Sequence, residues 1–235
     1  MDERNPQIYP YPVPTLRPIA WVTWIIIGTT VAVFLLQLAW LHLYGVDAIG
    51  NTFAFSPEAW ADHRYWTLIT YAWAHAVAMF GNSSLFWLHI VSNMIPLFCL
   101  GPALEDILGH WRYLGLYLGG AVASALVWLC YSSYFSPDSD VDQGIIGASG
   151  AVFAIIAAIG TAMPRVRVTV LLFYILPLRM SMRTLALVAC GVELASVLFN
   201  WMPEIAHSAH LGGAAFGFLY VLAFRRIVHE EYLPV

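Results

Sequence analysis

Gly147-Ala148-Ser149-Gly150 stands where a polar, acidic loop (Asp138, Asp140, Asp142) gives way to an apolar run, Ala151 to Met163. The run carries no charge and is long enough to enter a bilayer. A serine hydroxyl is therefore set at the mouth of a membrane helix, with glycine on both sides. Glycine has no Cβ, so other backbone or a substrate can come close. One explanation is a small-residue face for helix packing, with the hydroxyl bonded back to its own helix. Gly-x-Ser-Gly arises by chance in roughly one chain in fifteen of this composition, so the motif alone decides little. Its meaning depends on where the other polar residues fall.

Of 235 residues, 60% are hydrophobic and 10% charged, with a mean hydropathy of +0.73. Soluble domains carry about 25% charged residues, so the chain reads as a single membrane domain. All ten basic residues are arginine, and no basic patch outside the membrane flanks points to nucleic acid. Residues Met1 to Pro18 are polar and proline-rich, which is the composition of a short flexible tail and not of a cleavable signal peptide. Cys99, Cys130 and Cys190 all fall in apolar runs. An odd number without a CxxC pair argues against a disulfide frame or a zinc site.

About twenty apolar residues span a bilayer. Six segments qualify: approximately Ile19–Leu43, Leu85–Leu104, Tyr113–Tyr131, Gly147–Met163, Thr184–Trp201 and Ala209–Phe224. The fourth and sixth are short for full spans. The expected fold is thus an all-α membrane protein with six transmembrane helices. A cytoplasmic tail covers residues 1–18, the membrane domain 19–227, and a second cytoplasmic tail 228–235. No internal repeat of the transporter kind is present.

Arginine bias sets the orientation. With the N-terminus cytoplasmic, Arg4, Arg17, Arg112, Arg165, Arg167, Arg179, Arg183, Arg225 and Arg226 fall inside, and only Arg64 falls outside. The three loop aspartates and Glu204 are then outside. The first outer loop, Tyr44 to Ser84, carries Phe53, Phe55, Trp60, Tyr65, Trp66, Tyr71, Trp73 and Phe80. Such rings favour the headgroup zone, so the loop is expected to lie partly in the outer leaflet. An ordinary packed loop accounts for them equally well. Val168–Pro177 is apolar, too short to span and bounded by arginines, which predicts an interfacial cytoplasmic hairpin or loop.

Depth connects the polar residues. Ser149 lies 16 residues from Arg165, or roughly 24 Å of helix. His210 lies 15 residues from Arg225, roughly 22 Å, and His89 lies 16 from Glu105. Against a hydrocarbon core of about 30 Å, all three sit a few Å below the outer surface. Asn93 is one turn deeper than His89 on the same face. Small residues on the fourth segment (Gly147, Gly150) and the sixth (Gly213, Gly217) allow close approach, which would bring Ser149 within hydrogen-bond reach of His210.

Singly, each residue has a plainer explanation. A helical histidine is often a satisfied core group, and His89 and Asn93 could pair with each other. His207 and His210, at i and i+3, could bind metal, but no carboxylate or cysteine at matching depth is expected to complete the set, so neither metal nor cofactor is predicted. Together they permit acyl transfer. A serine hydroxyl needs a base in contact, and His210 can serve. The Asn93 amide, a His89 ring N–H and the Ser149 backbone N–H are candidate oxyanion donors; losing one such donor costs about 10²–10³ in rate. With no aspartate at this depth, a Ser–His dyad is expected rather than a triad.

Four stretches now resemble the rhomboid family of intramembrane serine proteases. They are His89-Ile-Val-Ser-Asn93-Met, Gly101-Pro-Ala-Leu-Glu105-Asp-Ile-Leu-Gly109, Gly147-Ala-Ser149-Gly150 and His210-Leu-Gly-Gly213-Ala-Ala-Phe-Gly217. The likeness runs from about Trp66 to Phe224, roughly two-thirds of the chain. It implies a six-helix rhomboid-like bundle of the minimal bacterial type, in an inner (plasma) membrane. Both termini would be cytoplasmic, with the active site opening to the outer face. It implies Ser149 as nucleophile, His210 as general base, and Asn93, His89 and the Ser149 amide as the oxyanion site. Its substrates would be single-span membrane proteins, cleaved near the outer ends of their helices without metal or cofactor. The sequence departs from the family at Thr67, where arginine commonly follows tryptophan, in the long His75–His89 interval, and at Phe153, which can stack under the histidine but not donate. Glu193, mid-span in the fifth segment and about 15 Å from Arg183, is expected to be bonded to a neighbouring helix, with a proton relay the lesser possibility. The alternatives to a protease are a catalytically silent rhomboid-like protein that binds or retains membrane clients, and a transporter or channel using Glu193 and the polar cluster.

Overall fold

The computed structural model describes residues 19–45, 47–77, 86–135, 144–172, 176–202 and 205–232. Phe80, Asp138, Asp140, Asp142, Glu204, Arg4 and Arg17 lie outside the described residues. All six apolar segments form helix. Helix α1 is Trp21–Tyr44, and three short helices follow it: α2 (Ala48–Phe53), α3 (Pro57–Ala61) and α4 (Thr67–Thr70). Then come α5 (Phe86–Leu108), α6 (His110–Phe135) and α7 (Ser149–Ala162). Strands β1 (Arg167–Leu172) and β2 (Leu176–Ser181) precede α8 (Met182–Phe199) and α9 (His207–Tyr232). Among the described residues, α1, α5, α6 and α8 are long and apolar enough to cross a membrane; α7 is apolar but has 14 residues.

Local chemistry explains the ends of these elements. Gly45, with φ of +72°, closes α1 by donating its N–H to Leu41. Asp47 and Ser56 cap α2 and α3 through their side chains. The first residues of α1 are held by another helix: Glu105 accepts from the backbone N–H of Val22 and Thr23 and from the Thr23 hydroxyl. His110 Nδ1 closes on the same carboxylate at 2.5 Å. A buried carboxylate so surrounded ties α1 to the α5–α6 turn.

Helix α7 is the centre of the bundle. It touches α5, α6, α8 and α9, and most of its residues, from Gly150 through Ala162, are buried. A helix apolar on every side belongs in such a place. Two glycines on α9 make the contact intimate. A Cβ on Gly213 would stand 2.0 Å from the Gly150 carbonyl oxygen, and one on Gly217 would stand 2.0 Å from that of Ala154. The expected close approach of the fourth and sixth segments is therefore backbone against backbone.

Helix α8 is attached differently. Only Met182, Glu193 and Ser196 of it are buried, while Leu187, Val188, Leu194, Leu198 and Phe199 face outward. Between α7 and α8 the apolar run forms an antiparallel hairpin, with Arg167 opposite Ser181 and Leu172 opposite Leu176. In the connection between α1 and α5 some rings pack inward, as Phe55 and Tyr71 do, and others are exposed, as Trp60, Tyr65 and Trp66 are. Thr67, at the departure position, is buried and donates its hydroxyl proton to the Arg64 carbonyl.

Candidate active site

The outer loop fixes the segment that leads into α7. Phe55 and Ile145 exchange backbone hydrogen bonds at 3.0 and 2.7 Å, and the Gly147 N–H donates to the Tyr71 carbonyl at 2.9 Å. Gly147 has a φ of +123°, and a Cβ there would meet the His89 ring at 2.8 Å. Both the backbone angle and the histidine require glycine at this position. Ser149 is then the first residue of α7. Val152 makes the first bond back along the helix, to Ala148, and Ala148 supplies no side-chain cap. The N–H groups of Ser149, Gly150 and Ala151 thus precede the helical ladder at its electropositive end.

His210 comes to the serine from α9. Its Nε2 lies 2.8 Å from Ser149 Oγ. Phe153, one turn beyond the serine, stacks on the imidazole with centroids 4.5 Å apart and an interplanar angle of 6°. The residue before His210 is held from a third helix, where the Ser124 hydroxyl donates to the Ala209 carbonyl at 2.7 Å. Ser149 is partly exposed, whereas His210 is buried.

His89 and Asn93 sit on α5 beside this pair. The Ala76 N–H donates to His89 Nδ1 at 3.1 Å. A neutral His89 therefore carries its proton on Nε2, the nitrogen that faces Gly147. The buried Asn93 spends one amide proton on the His89 carbonyl at 2.7 Å and has a second to give. His75, in the outer loop, is fully buried with its ring 5.1 Å from that of His89, and its Nε2 faces the Ala148 N–H at 3.4 Å. Burial, and next the adjacent His89, push His75 down to about 3, so it stays neutral here.

The structure corrects the expectation that no carboxylate stands at this depth. Glu193 Oε2 is 2.5 Å from His207 Nδ1 and 2.9 Å from His210 Nδ1. The first is an aligned hydrogen bond. The second is a close contact off the hydrogen-bond direction, so His210 Nδ1 has no aligned partner. Glu193 is bonded to a neighbouring helix as expected, yet it also stands behind the histidine, so a bare dyad is not what the structure holds. The expected absence of a third metal-binding group fails for the same reason: Glu193, His207 and His210 present ligand atoms within 4.8 Å of one another. Counting 15 Å up from Arg183 had put Glu193 in mid-membrane. Helix α8 ends at Phe199, so Glu193 is nearer its C-terminal end. The sequence signal for His75 and Ser124 was only a polar residue beside or within an apolar run.

Fold and site together define a helical membrane protein with a serine–histidine pair at one end of its bundle. The chain belongs to the rhomboid family, whose domain matches residues 62–227. It is 28% identical over 160 residues to the human presenilin-associated rhomboid-like protein, mitochondrial, covering 68% of this chain and 40% of that one. The presenilin-associated rhomboid-like protein A, mitochondrial, of Danio rerio is 31% identical over 134 residues, covering 57% of this chain and 33% of that one. RHOMBOID-like protein 12, mitochondrial, of Arabidopsis thaliana is 29% identical over 201 residues, covering 81% of this chain and 55% of that one. The chain thus spans a third to about half of these relatives' length. Their names are mitochondrial, and the expected bacterial plasma membrane gains no support from them; what stands is a membrane protein.

Proposed function

We propose that this chain is an intramembrane serine endopeptidase that cleaves single-span membrane proteins near the outer ends of their helices. The observation that carries the reading is the 2.8 Å contact of Ser149 Oγ with His210 Nε2. In this mechanism His210 holds its own proton on Nδ1 and accepts the serine proton on Nε2. The Oγ attacks the scissile carbonyl, and the resulting oxyanion is met by the Ser149 N–H, the His89 Nε2–H and the second amide proton of Asn93. His210 then returns the proton to the leaving amine. Water repeats the sequence on the acyl-enzyme, restoring Ser149. Glu193 faces the imidazolium that forms in each half and acts as a positioning residue through it.

The same reading has α7 and α9 crossing beside α1, α5, α6 and α8, which makes six spans within residues 19–227. The arginine-rich side faces the cytoplasm or its equivalent, both tails lie there, and Ser149 opens toward the opposite face. No metal takes part in the chemistry. Purified protein in detergent should react with a fluorophosphonate probe and cleave a single-span substrate, and Ser149→Ala should abolish both. Labelling that persists in the Ser149→Ala protein removes the nucleophile. An unlabelled wild type of native helix content favours the silent, client-binding relative instead.

A further inference from the structure

Behind the Ser149–His210 pair, three lone-pair donors from two helices converge. They are Glu193 Oε2 on α8 with His207 Nδ1 and His210 Nδ1 on α9. His207 Nε2 faces two backbone carbonyls, Trp201 at 2.9 Å and Met202 at 3.1 Å. Carbonyls only accept, so Nε2 must carry a proton, and the hydrogen bond from Nδ1 to Glu193 holds a second one between those two atoms. His210 Nδ1 is buried and lacks an aligned partner. Glu193 Oε2 lies 2.5 Å from one of these nitrogens and 2.9 Å from the other, so lone pairs on all three atoms need a cation among them. A proton fills that role in the working enzyme. The geometry points to a second occupant, a Zn²⁺ ion bound by Glu193, His207 and His210, that switches the protease off.

The donor set suits the metal. Two histidines, one carboxylate and a solvent position make up a common zinc shell, with ligands about 2.0–2.2 Å from the ion. Tetrahedral ligands are then about 3.3–3.6 Å apart, so Glu193 Oε2 must draw back from each histidine nitrogen by up to about 1 Å. The Trp201 and Met202 carbonyls on His207 Nε2 are the outer-shell contacts that orient a metal-bound histidine. Hard cations that prefer oxygen ligands, such as Mg²⁺ and Ca²⁺, fit this set poorly.

Inhibition follows from proton placement, and this part rests on the protease reading. Catalysis needs the His210 proton on Nδ1 so that Nε2 can accept from Ser149. Zinc on Nδ1 takes the lone pair of the other tautomer of neutral His210, in which the single ring proton has moved from Nδ1 to Nε2. The imidazole can then only donate to Ser149 Oγ, and the serine has lost its base. Metal and the proton that general-base action requires compete for one nitrogen, Nδ1.

Binding and inhibition are measured separately on the full chain in detergent. Co²⁺, with Zn²⁺ as competitor, is titrated into wild type and Ser149→Ala protein. One equivalent should bind both, giving the visible bands of tetrahedral cobalt that Zn²⁺ erases and Mg²⁺ does not. His207→Asn and Glu193→Gln should each weaken binding at least about 100-fold, the upper end of what outer-shell partners alone cost. Their helix content by circular dichroism must match wild type. Zn²⁺ at saturation should lower fluorophosphonate labelling of wild type at least tenfold, on the analogy of losing an oxyanion donor, and chelation should restore it. No cobalt bands, or bands unchanged in both variants, overturn the site. Stoichiometric binding with undiminished labelling overturns the inhibition. If wild type fails to label without metal, the protease reading and the inhibition fall together, while the cobalt titration still decides the site.

Discussion

His210 is confined on three sides, by Phe153 against its face, Ser149 at Nε2 and Glu193 at Nδ1. The carboxylate is the most informative of these to alter, since glutamine keeps its shape and removes its charge. In the reading above, the charge matters only once His210 has become an imidazolium, so Glu193→Gln should act on kcat and leave KM unchanged. Aligned hydrogen bonds to charged groups are worth about 1.5–3 kcal/mol, so this off-direction contact sets roughly a hundredfold as the upper bound on the fall in kcat. Steady-state cleavage of a single-span substrate checks this. A variant that raises KM at constant kcat would give Glu193 a role in holding α8 and the substrate, and remove it from the proton path.

At the scale of the helix, two glycines make opposite demands. Gly213 faces the Gly150 carbonyl, where a methyl group meets backbone that cannot step aside. Gly191 on α8 has nothing within 4 Å of where its Cβ would be. Gly213→Ala should therefore cost about 1–3 kcal/mol by overpacking and push His210 from Ser149. Gly191→Ala should gain about 0.5–1 kcal/mol by stiffening the unfolded chain. Thermal melting with fluorophosphonate labelling checks both; equal shifts in the two would mean that α7 and α9 are not packed backbone to backbone. The α7–α9 contact was readable beforehand, since glycines four residues apart mark a close helix pair. So were the helices themselves, and Ser149, His89, Asn93 and His210 on them, because charge-free runs and spacing from arginine fix both element and depth. Glu193 was singled out but not placed. Its depth was counted from one end of a helix of only 18 residues, and which face it shows α9 is a matter of packing. The strands of the arginine-bounded hairpin were hidden because an unbroken apolar run has no alternation to read.

For the whole molecule the decisive quantity is the mismatch between α7 and its neighbours. Fourteen residues make a helix of about 21 Å, against about 39 Å for the 26 residues of α6 and a hydrocarbon core of about 30 Å. Pro164, Arg165 and Arg167 follow α7 directly, and in the proposed topology they hold its far end at the arginine-rich interface. Its other end, with Ser149, must then stop about 9 Å short of the opposite boundary. In the protease reading, water reaches the partly exposed Ser149 from that side. Single cysteines in sealed proteoliposomes test this, in a background where Cys99, Cys130 and Cys190 are alanine. A small membrane-impermeant thiol reagent should modify Ser149→Cys from one face only, the face from which it modifies Asp62→Cys, an exposed position in the first outer loop. It should modify Arg179→Cys from the other face alone. The recessed cysteine should react more slowly than the one at position 62. If Ser149→Cys shares its reactive face with Arg179→Cys, the topology is inverted. If it stays unmodified from both faces while Asp62→Cys reacts, the pair is sealed from water, and hydrolysis at Ser149 has no second reactant.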